Sequence, residues 1–127
     1  MEINRPDVLA EVEAAFDRYE QALITNDVAT LDLLFWNDPK TLRYGIAENL
    51  HGHNEIAAFR AERPAKGLMR TQVRPQVTTF GTDYAVANTM FTRDGMNGKI
   101  GRQSQTWVRT DDGWRIVAAH VSVIDDA

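Results

Sequence analysis

The sequence predicts an α+β fold in which a curved antiparallel sheet wraps around N-terminal helices. Three observations carry this. The first 63 residues hold helix-type apolar periodicity with only one strand-like run between helices. From Arg70 onward, "RTQVRPQVTTF", "YAVANTMFTRD", "KIGRQSQTWVRT" and "WRIVAAHVSVI" are rich in Val, Ile, Thr and aromatic residues. Gly81-Thr82-Asp83, Asp94-Gly95 and Asp111-Asp112-Gly113 separate these runs, and each reads as a hairpin connection. Helices that precede a block of antiparallel strands indicate α+β rather than a parallel βαβ arrangement.

The first helix is "RPDVLAEVEAAFDRYEQALITND". Pro6 suits a first turn and Asn4 is placed to cap it. Val8, Val12, Phe16, Tyr19 and Leu23 recur at steps of three and four, which makes one apolar stripe. A second helix, "VATLDLLFW", starts after a cap at Asn26 or Asp27 and buries Val28, Leu31, Leu34 and Phe35. Asp38-Pro39 reads as a turn, and "TLRYG" after it as a strand. "AENLHGH" reads as a short extended turn. "NEIAAFRAER" makes a third helix that Pro64 stops. A long sheet curved around the first helix makes a cone whose open end is a concave pocket, the place to look for chemistry.

Composition narrows that chemistry. The chain has 127 residues, a net charge of −4 and no cysteine. This length predicts one domain, 1–127, with a core that needs no staple. Thiol catalysis and cysteine-ligated metals are excluded. The strongly basic face that nucleic-acid binding requires is missing, and no run is long and apolar enough to span a bilayer. The acidic start "MEINRPDVLAEVE" does not resemble a signal peptide, so a cytoplasmic protein is expected. No Gly-rich phosphate loop, Gly-x-Ser-x-Gly elbow or Ser-His-Asp signature is present.

The candidate residues each have a structural and a functional reading. Tyr19 lies on the buried stripe, where a phenol either packs in the core or presents a proton to a pocket. In the "TLRYG" strand, alternation sets Leu42, Tyr44 and Ile46 against Arg43 and sends Arg43 to solvent. Pointing inward, Arg43 would instead clamp a carboxylate through two parallel hydrogen bonds. "GRQSQTWVR" puts Gln103 and Gln105 on one face and Ser104 on the other, either as a wet strand or as ligand-binding amides. His120 alternates with Ile116, Ala118 and Ser122 and is either a core histidine or a general base. Arg70 opens the strand block and is either a solvated strand end or a second positive charge at the pocket mouth. His51 and His53 lack a third ligand at matching spacing, so a surface turn and no metal are expected.

The ending "DDGWRIVAAHVS", with this element order, resembles the SnoaL-like branch of the NTF2-like superfamily. A narrower resemblance covers nearly the whole chain. "AAFDRYEQALITND", "LDLLFWNDPKTLRYG", "FTRDG" and "GRQSQTWVRTDDGWRIVAAHVS" are similar to the AtzH-like, or HpxZ-like, family. That resemblance implies an NTF2-like cone and a decarboxylating amidohydrolase that converts 1,3-dicarboxyurea to allophanate. It also implies a functional link to an amidase-signature enzyme in cyanuric acid or purine breakdown. The family's functional tyrosine and arginine fall on Tyr19, in "DRYE", and Arg43, in "TLRYG". Arg70, Gln103, Ser104, Gln105 and His120 are expected only as substrate-binding candidates. No cofactor is implied. Two alternatives stand beside this reading: a non-catalytic partner of an amidase, and a ketosteroid-isomerase-type isomerase or cyclase. Such cones pair through the outer face of the sheet, so a homodimer or homotetramer is expected, with Val73, Val77, Trp107, Val117 and Val121 as the exposed patch.

Overall fold

The structure is a computed structural model and describes residues 1–126. Its elements are α1 (Pro6–Ile24), α2 (Val28–Leu34), β1 (Leu42–Tyr44), β2 (Asn49–His51), α3 (His53–Glu62), β3 (Thr71–Phe80), β4 (Tyr84–Thr92), β5 (Lys99–Thr110) and β6 (Gly113–Asp125). The sheet has the order β2-β1-β6-β5-β4-β3. Strands β3 to β6 form the expected antiparallel meander, and β1 joins β6 in parallel. The result is an unclosed, curved sheet with the helices packed on its concave side. Among the described residues, no helix is long and apolar enough to cross a membrane.

The stripe on α1 is the keel of the core. Val8, Val12, Phe16, Tyr19 and Leu23 are all buried, packed with Leu31, Leu34 and Phe35 from α2 and its end and with Trp107 and Ile116 from the sheet. Fully burying each such apolar side chain contributes about 1.5–3 kcal/mol. Asp27 caps α2 by accepting from the Thr30 backbone N–H at 3.2 Å. Helix α2 ends at Leu34, short of the expected Trp36. Phe35 turns to extended backbone and bridges Ile116 of β6, and the Trp36 N–H donates to the Ile116 carbonyl. Asn4 does not cap α1. It has a positive φ of 56°, and its side chain accepts from the Thr79 N–H at 2.9 Å, which ties the chain start to β3. The segment read as an extended turn holds β2, which pairs with β1.

Two bulges shape the sheet. Between Val73 and Gln76 the β3–β4 register shifts at Arg74 and Pro75, where a proline would otherwise cost a ladder hydrogen bond. Between Thr106 and Trp107 the β5–β6 register shifts: Trp107 faces Ile116 and Thr106 faces Ala118, which leaves Val117 as the extra residue. Beyond this bulge the alternation of β6 reverses. Ala119 and Val121 face inward, and Ala118, His120 and Ser122 do not.

The expected outer patch is corrected at three residues. The reversal turns Val121 inward, Trp107 is fully buried on the face it shares with Gln103 and Gln105, and Val77 of β3 packs against the core, so none of them belongs to an exposed face. The outer surface near β1 is formed instead by Leu42, Tyr44, Ser104, Thr106, Ala118 and His120.

Gly101 marks a close approach on the inner face. A Cβ there would overlap the ring of Phe91, which is fully buried. Gly101→Ala is expected to destabilise the fold by about 1–3 kcal/mol, the usual cost of overpacking. Urea unfolding of the two proteins measures it.

Candidate functional site

A cavity of about 170 Å³ opens at the end of α1, lined by Tyr19, Arg43, Glu48, Arg63, Arg70, Arg93 and Gln103 with Leu23, Ile46, Phe59 and Val121 as its apolar part. A larger groove of about 690 Å³ lies elsewhere, between α2 and the β5–β6 turn. Its lining mixes Asp32, Asp112, His53 and Arg115 and gathers no charge of one sign.

Arg43 points into the smaller cavity. Strand β1 is not an edge: β2 covers one side and β6 the other, with Arg43 opposite Leu50 and Ala119. Its neighbours Leu42 and Tyr44 take the outer face, where the Tyr44 ring meets His51 and His120 edge-on. The alternation read from sequence therefore holds, but the face assigned to solvent is the concave one. Arg43 is only 8% exposed. Its Nη1 donates to Glu48 Oε1 at 2.8 Å, and its guanidinium lies 5.4 Å from the centre of the Phe59 ring.

Tyr19 reaches the same cavity from α1 and is 2% exposed. Its hydroxyl accepts from Arg60 Nη2 at 2.8 Å. Burial alone raises the pKa of this phenol. The positive charges of Arg60, Arg43 and Arg70 and the hydrogen bond from Arg60 outweigh burial, so the phenol lies below its ordinary value.

Sequence reasoning missed Glu48, Arg63 and Arg93 at the cavity wall and, behind Tyr19, Arg60. Arg60 sits one turn after Ile56 on the buried face of α3 and is 1% exposed. A signal existed, because an arginine four residues after an isoleucine shares its helix face.

Arg70 is buried and committed to a partner. It grips Glu20 with Nε and Nη2 at 2.7 and 2.6 Å, donates to Gln103 Oε1 at 3.1 Å, and stacks 4.4 Å from the Phe91 centroid. Arg63 and Arg93 stand at the cavity wall. Desolvation first, then the charge of Arg60, lowers Arg63 to about 10, so it stays charged at neutral pH. Desolvation and the nearby Arg70 lower Arg93 as well.

Of the other sequence candidates, Gln103 lines the cavity, and its Nε2 finds no acceptor in the protein. Gln105 is buried on the same face but accepts from Trp107 Nε1 at 3.0 Å and does not line the cavity. Ser104 and His120 lie on the outer face and are exposed, so neither meets Tyr19 or Arg43. The bulge at Val117 is the reason for His120, and plain alternation is the reason for Ser104. His51 packs on Tyr44, and His53 hydrogen-bonds the Asp32 carbonyl. Among the described residues, no group of three His, Cys, Asp or Glu is placed to hold a metal.

The site thus gathers five guanidinium groups, Arg43, Arg60, Arg63, Arg70 and Arg93, against the carboxylates of Glu20 and Glu48. The excess of positive charge sits inside a protein whose net charge is −4. The unpartnered buried atoms at this end, Arg60 Nε and Nη1, Arg63 Nε, Arg93 Nε and Gln103 Nε2, are all donors. Such a place suits a small, acceptor-rich anion.

A family model described as AtzH-like matches residues 1–127. The chain belongs to the AtzH-like family. Among solved structures, an AtzH-like chain is similar to a protein of unknown function from Pectobacterium atrosepticum, with 60% identity, a TM-score of 0.94, and 97% of this chain and 95% of that one covered. A cystatin-like fold protein from Burkholderia xenovorans is 50% identical, with a TM-score of 0.94 and 98% of each chain covered. An NTF2-like superfamily protein from Salmonella enterica is 27% identical, with a TM-score of 0.71, 95% of this chain and 92% of that one covered. No functionally curated protein matches the chain. The AtzH-like assignment and the NTF2-like fold both agree with the reading of the sequence.

The Arg70–Glu20 pair should bear much of the stability of this AtzH-like site. Arg70→Ala leaves a carboxylate largely buried without its partner, and a loss of about 3–5 kcal/mol is expected. Chemical unfolding at neutral pH checks this, with Glu20→Gln as the control that removes the charge.

Proposed function

We propose that this AtzH-like protein is a decarboxylating amidohydrolase that converts 1,3-dicarboxyurea to allophanate. The observation that carries the reading is the convergence of Tyr19 and Arg43 in one small, strongly positive cavity. The substrate class is the one that the resemblance to the AtzH-like family implies, and membership of that family supports it.

The substrate is a planar dianion with a carboxylate on each urea nitrogen. Cleavage breaks one bond between nitrogen and its carboxylate carbon. The electron pair stays on nitrogen, which takes a proton, and carbon dioxide leaves. Arg43 holds a carboxylate through its planar fork, since Glu48 occupies only one of its nitrogens. Arg63 and Arg93 offer free donors to the second carboxylate. Gln103 Nε2 faces the urea core. Tyr19 delivers the proton to nitrogen. The reaction written this way needs no metal and no organic cofactor.

The isomerase reading is disfavoured. That chemistry wants a carboxylate base in the pocket, and both carboxylates here are tied to arginines. A cavity of about 170 Å³ is also small beside ordinary pockets for drug-sized ligands, which run to about 300–1,000 Å³.

The deciding assay incubates purified protein with enzymatically generated dicarboxyurea and measures allophanate. Tyr19→Phe is expected to lower kcat by about 10²–10⁴-fold without unfolding the protein, the usual range for a positioned acid. Near-normal turnover in that variant removes Tyr19 from the chemistry. Arg43→Lys should lose most of kcat/KM, because a point charge does not reproduce the fork. A protein that makes no allophanate yet co-purifies with an amidase-signature enzyme would instead be that enzyme's partner.

A further inference from the structure

The least explained charge in the molecule is Arg60. It is 1% exposed, and its one hydrogen-bond partner is the Tyr19 hydroxyl, at 2.8 Å. Nε and Nη1 have no partner at all. Its other close neighbour is the Phe35 ring, 6.0 Å from the guanidinium carbon. A buried guanidinium without a carboxylate is costly, and arginine does not relieve the cost by losing its proton.

Among the described residues, the surrounding groups offer it no anion. From α1, Glu20 is held by both prongs of Arg70. From the β1–β2 turn, Glu48 is held by Arg43. The remaining charged groups around the cavity are cations: Arg43 on β1, Arg63 after α3, Arg70 before β3 and Arg93 after β4. Gln103 on β5 is neutral, and Leu23, Ile46, Phe59 and Val121 complete the wall. Among the described residues, Tyr19 is the one group in contact with Arg60 that is able to become an anion.

We infer that Tyr19 rests as a phenolate, the counterion of Arg60, and that a dicarboxylate entering the cavity drives a proton onto it. The second half rests on the reading of Tyr19 as the proton donor, whereas the first half stands on Arg60 alone. Before substrate binds, the excess of guanidinium charge favours the phenolate. A bound dianion offsets that charge and adds its own repulsion, and burial already opposes ionisation. Solvent then supplies a proton to the phenolate. The phenol formed passes that proton to the departing nitrogen as carbon dioxide leaves, which restores the phenolate beside a monoanionic product. At rest the five arginines face two glutamates and one phenolate; with substrate bound they face two glutamates and one dianion, and after release of carbon dioxide two glutamates, the phenolate and a monoanion. Arg60 is thus a positioning residue that acts through Tyr19.

The test reads the near-ultraviolet tyrosinate band in a pH titration of the wild type, with Tyr19→Phe subtracted to remove Tyr44 and Tyr84. Glutarate is the probe, because it is inert and separates two carboxylates by the same number of bonds as dicarboxyurea. The band is expected in the wild type at neutral to mildly alkaline pH and should shrink when glutarate binds. Calorimetry in buffers of different ionisation enthalpy should show uptake of a proton per glutarate bound, lost in Tyr19→Phe. Arg60→Met should move the titration of Tyr19 to higher pH, and Arg60→Lys should restore part of the shift. If Arg60→Met does not fold, the wild-type titration and the glutarate response still decide. Absence of the band at those pH values overturns the inference. Glutarate that leaves the band and the proton count unchanged overturns the coupling to substrate. Because neither readout uses turnover, a chain that makes no allophanate but shows both signals would refute the proposed reaction and leave this inference standing.

Discussion

Like charge crowded into a closed space is the constraint on which the rest of this molecule turns. Guanidinium groups repel one another, and each loses hydration on burial. The fold holds them by three different means. Arg70 is locked by Glu20 and Gln103 and stacked on Phe91. Arg43 is half-engaged by Glu48 and rests near Phe59. Arg60 has only a phenol. The gradation runs from a cation with a bidentate carboxylate to one whose hydrogen-bond partner is a neutral-type side chain. The rigid core around α1 makes it affordable, because a buried stripe from Val8 to Leu23 keeps the cluster from relaxing outward.

Much of the architecture was legible from local rules. The stripe of α1, the Asp27 cap, the meander and its three turns follow from period, capping and turn chemistry. The site was legible only in part. Alternation correctly separated Arg43 from Leu42 and Tyr44, but it cannot say which face of a short strand lies inside. That depends on β2 and β6 covering β1, and β6 is far away in sequence. His120 was misplaced because a one-residue bulge leaves no mark in composition, yet reverses every residue beyond it. Asn4 looked like a cap because its residue type suits one, and tertiary contact with Thr79 took precedence.

Arg60 and the Arg70–Glu20 pair differ in legibility. Arg60 shares the helix face of Ile56, a local signal for burial that says nothing of its partner. Tyr19, Arg60, Glu20 and Arg70 meet only when α1, α3 and the start of β3 converge. Pairing over such separations is a property of the fold. Family resemblance put Tyr19 and Arg43 forward together, and the structure brings both to one cavity. It also adds the arginines that give their proximity a chemical meaning.

The parallel pairing of β1 with β6 has a consequence for how the chain acquires its site. Arg43 pairs laterally with Ala119, in a strand about 75 residues further along the chain. Chains fold from the N-terminus as they emerge, but non-local strand pairing must wait for its partner. Tyr19 sits on a helix whose hydrogen bonds are local in sequence, while Arg43 gains its strand neighbour only through a pairing of distant segments. The two residues named together by motif thus depend on interactions of very different range.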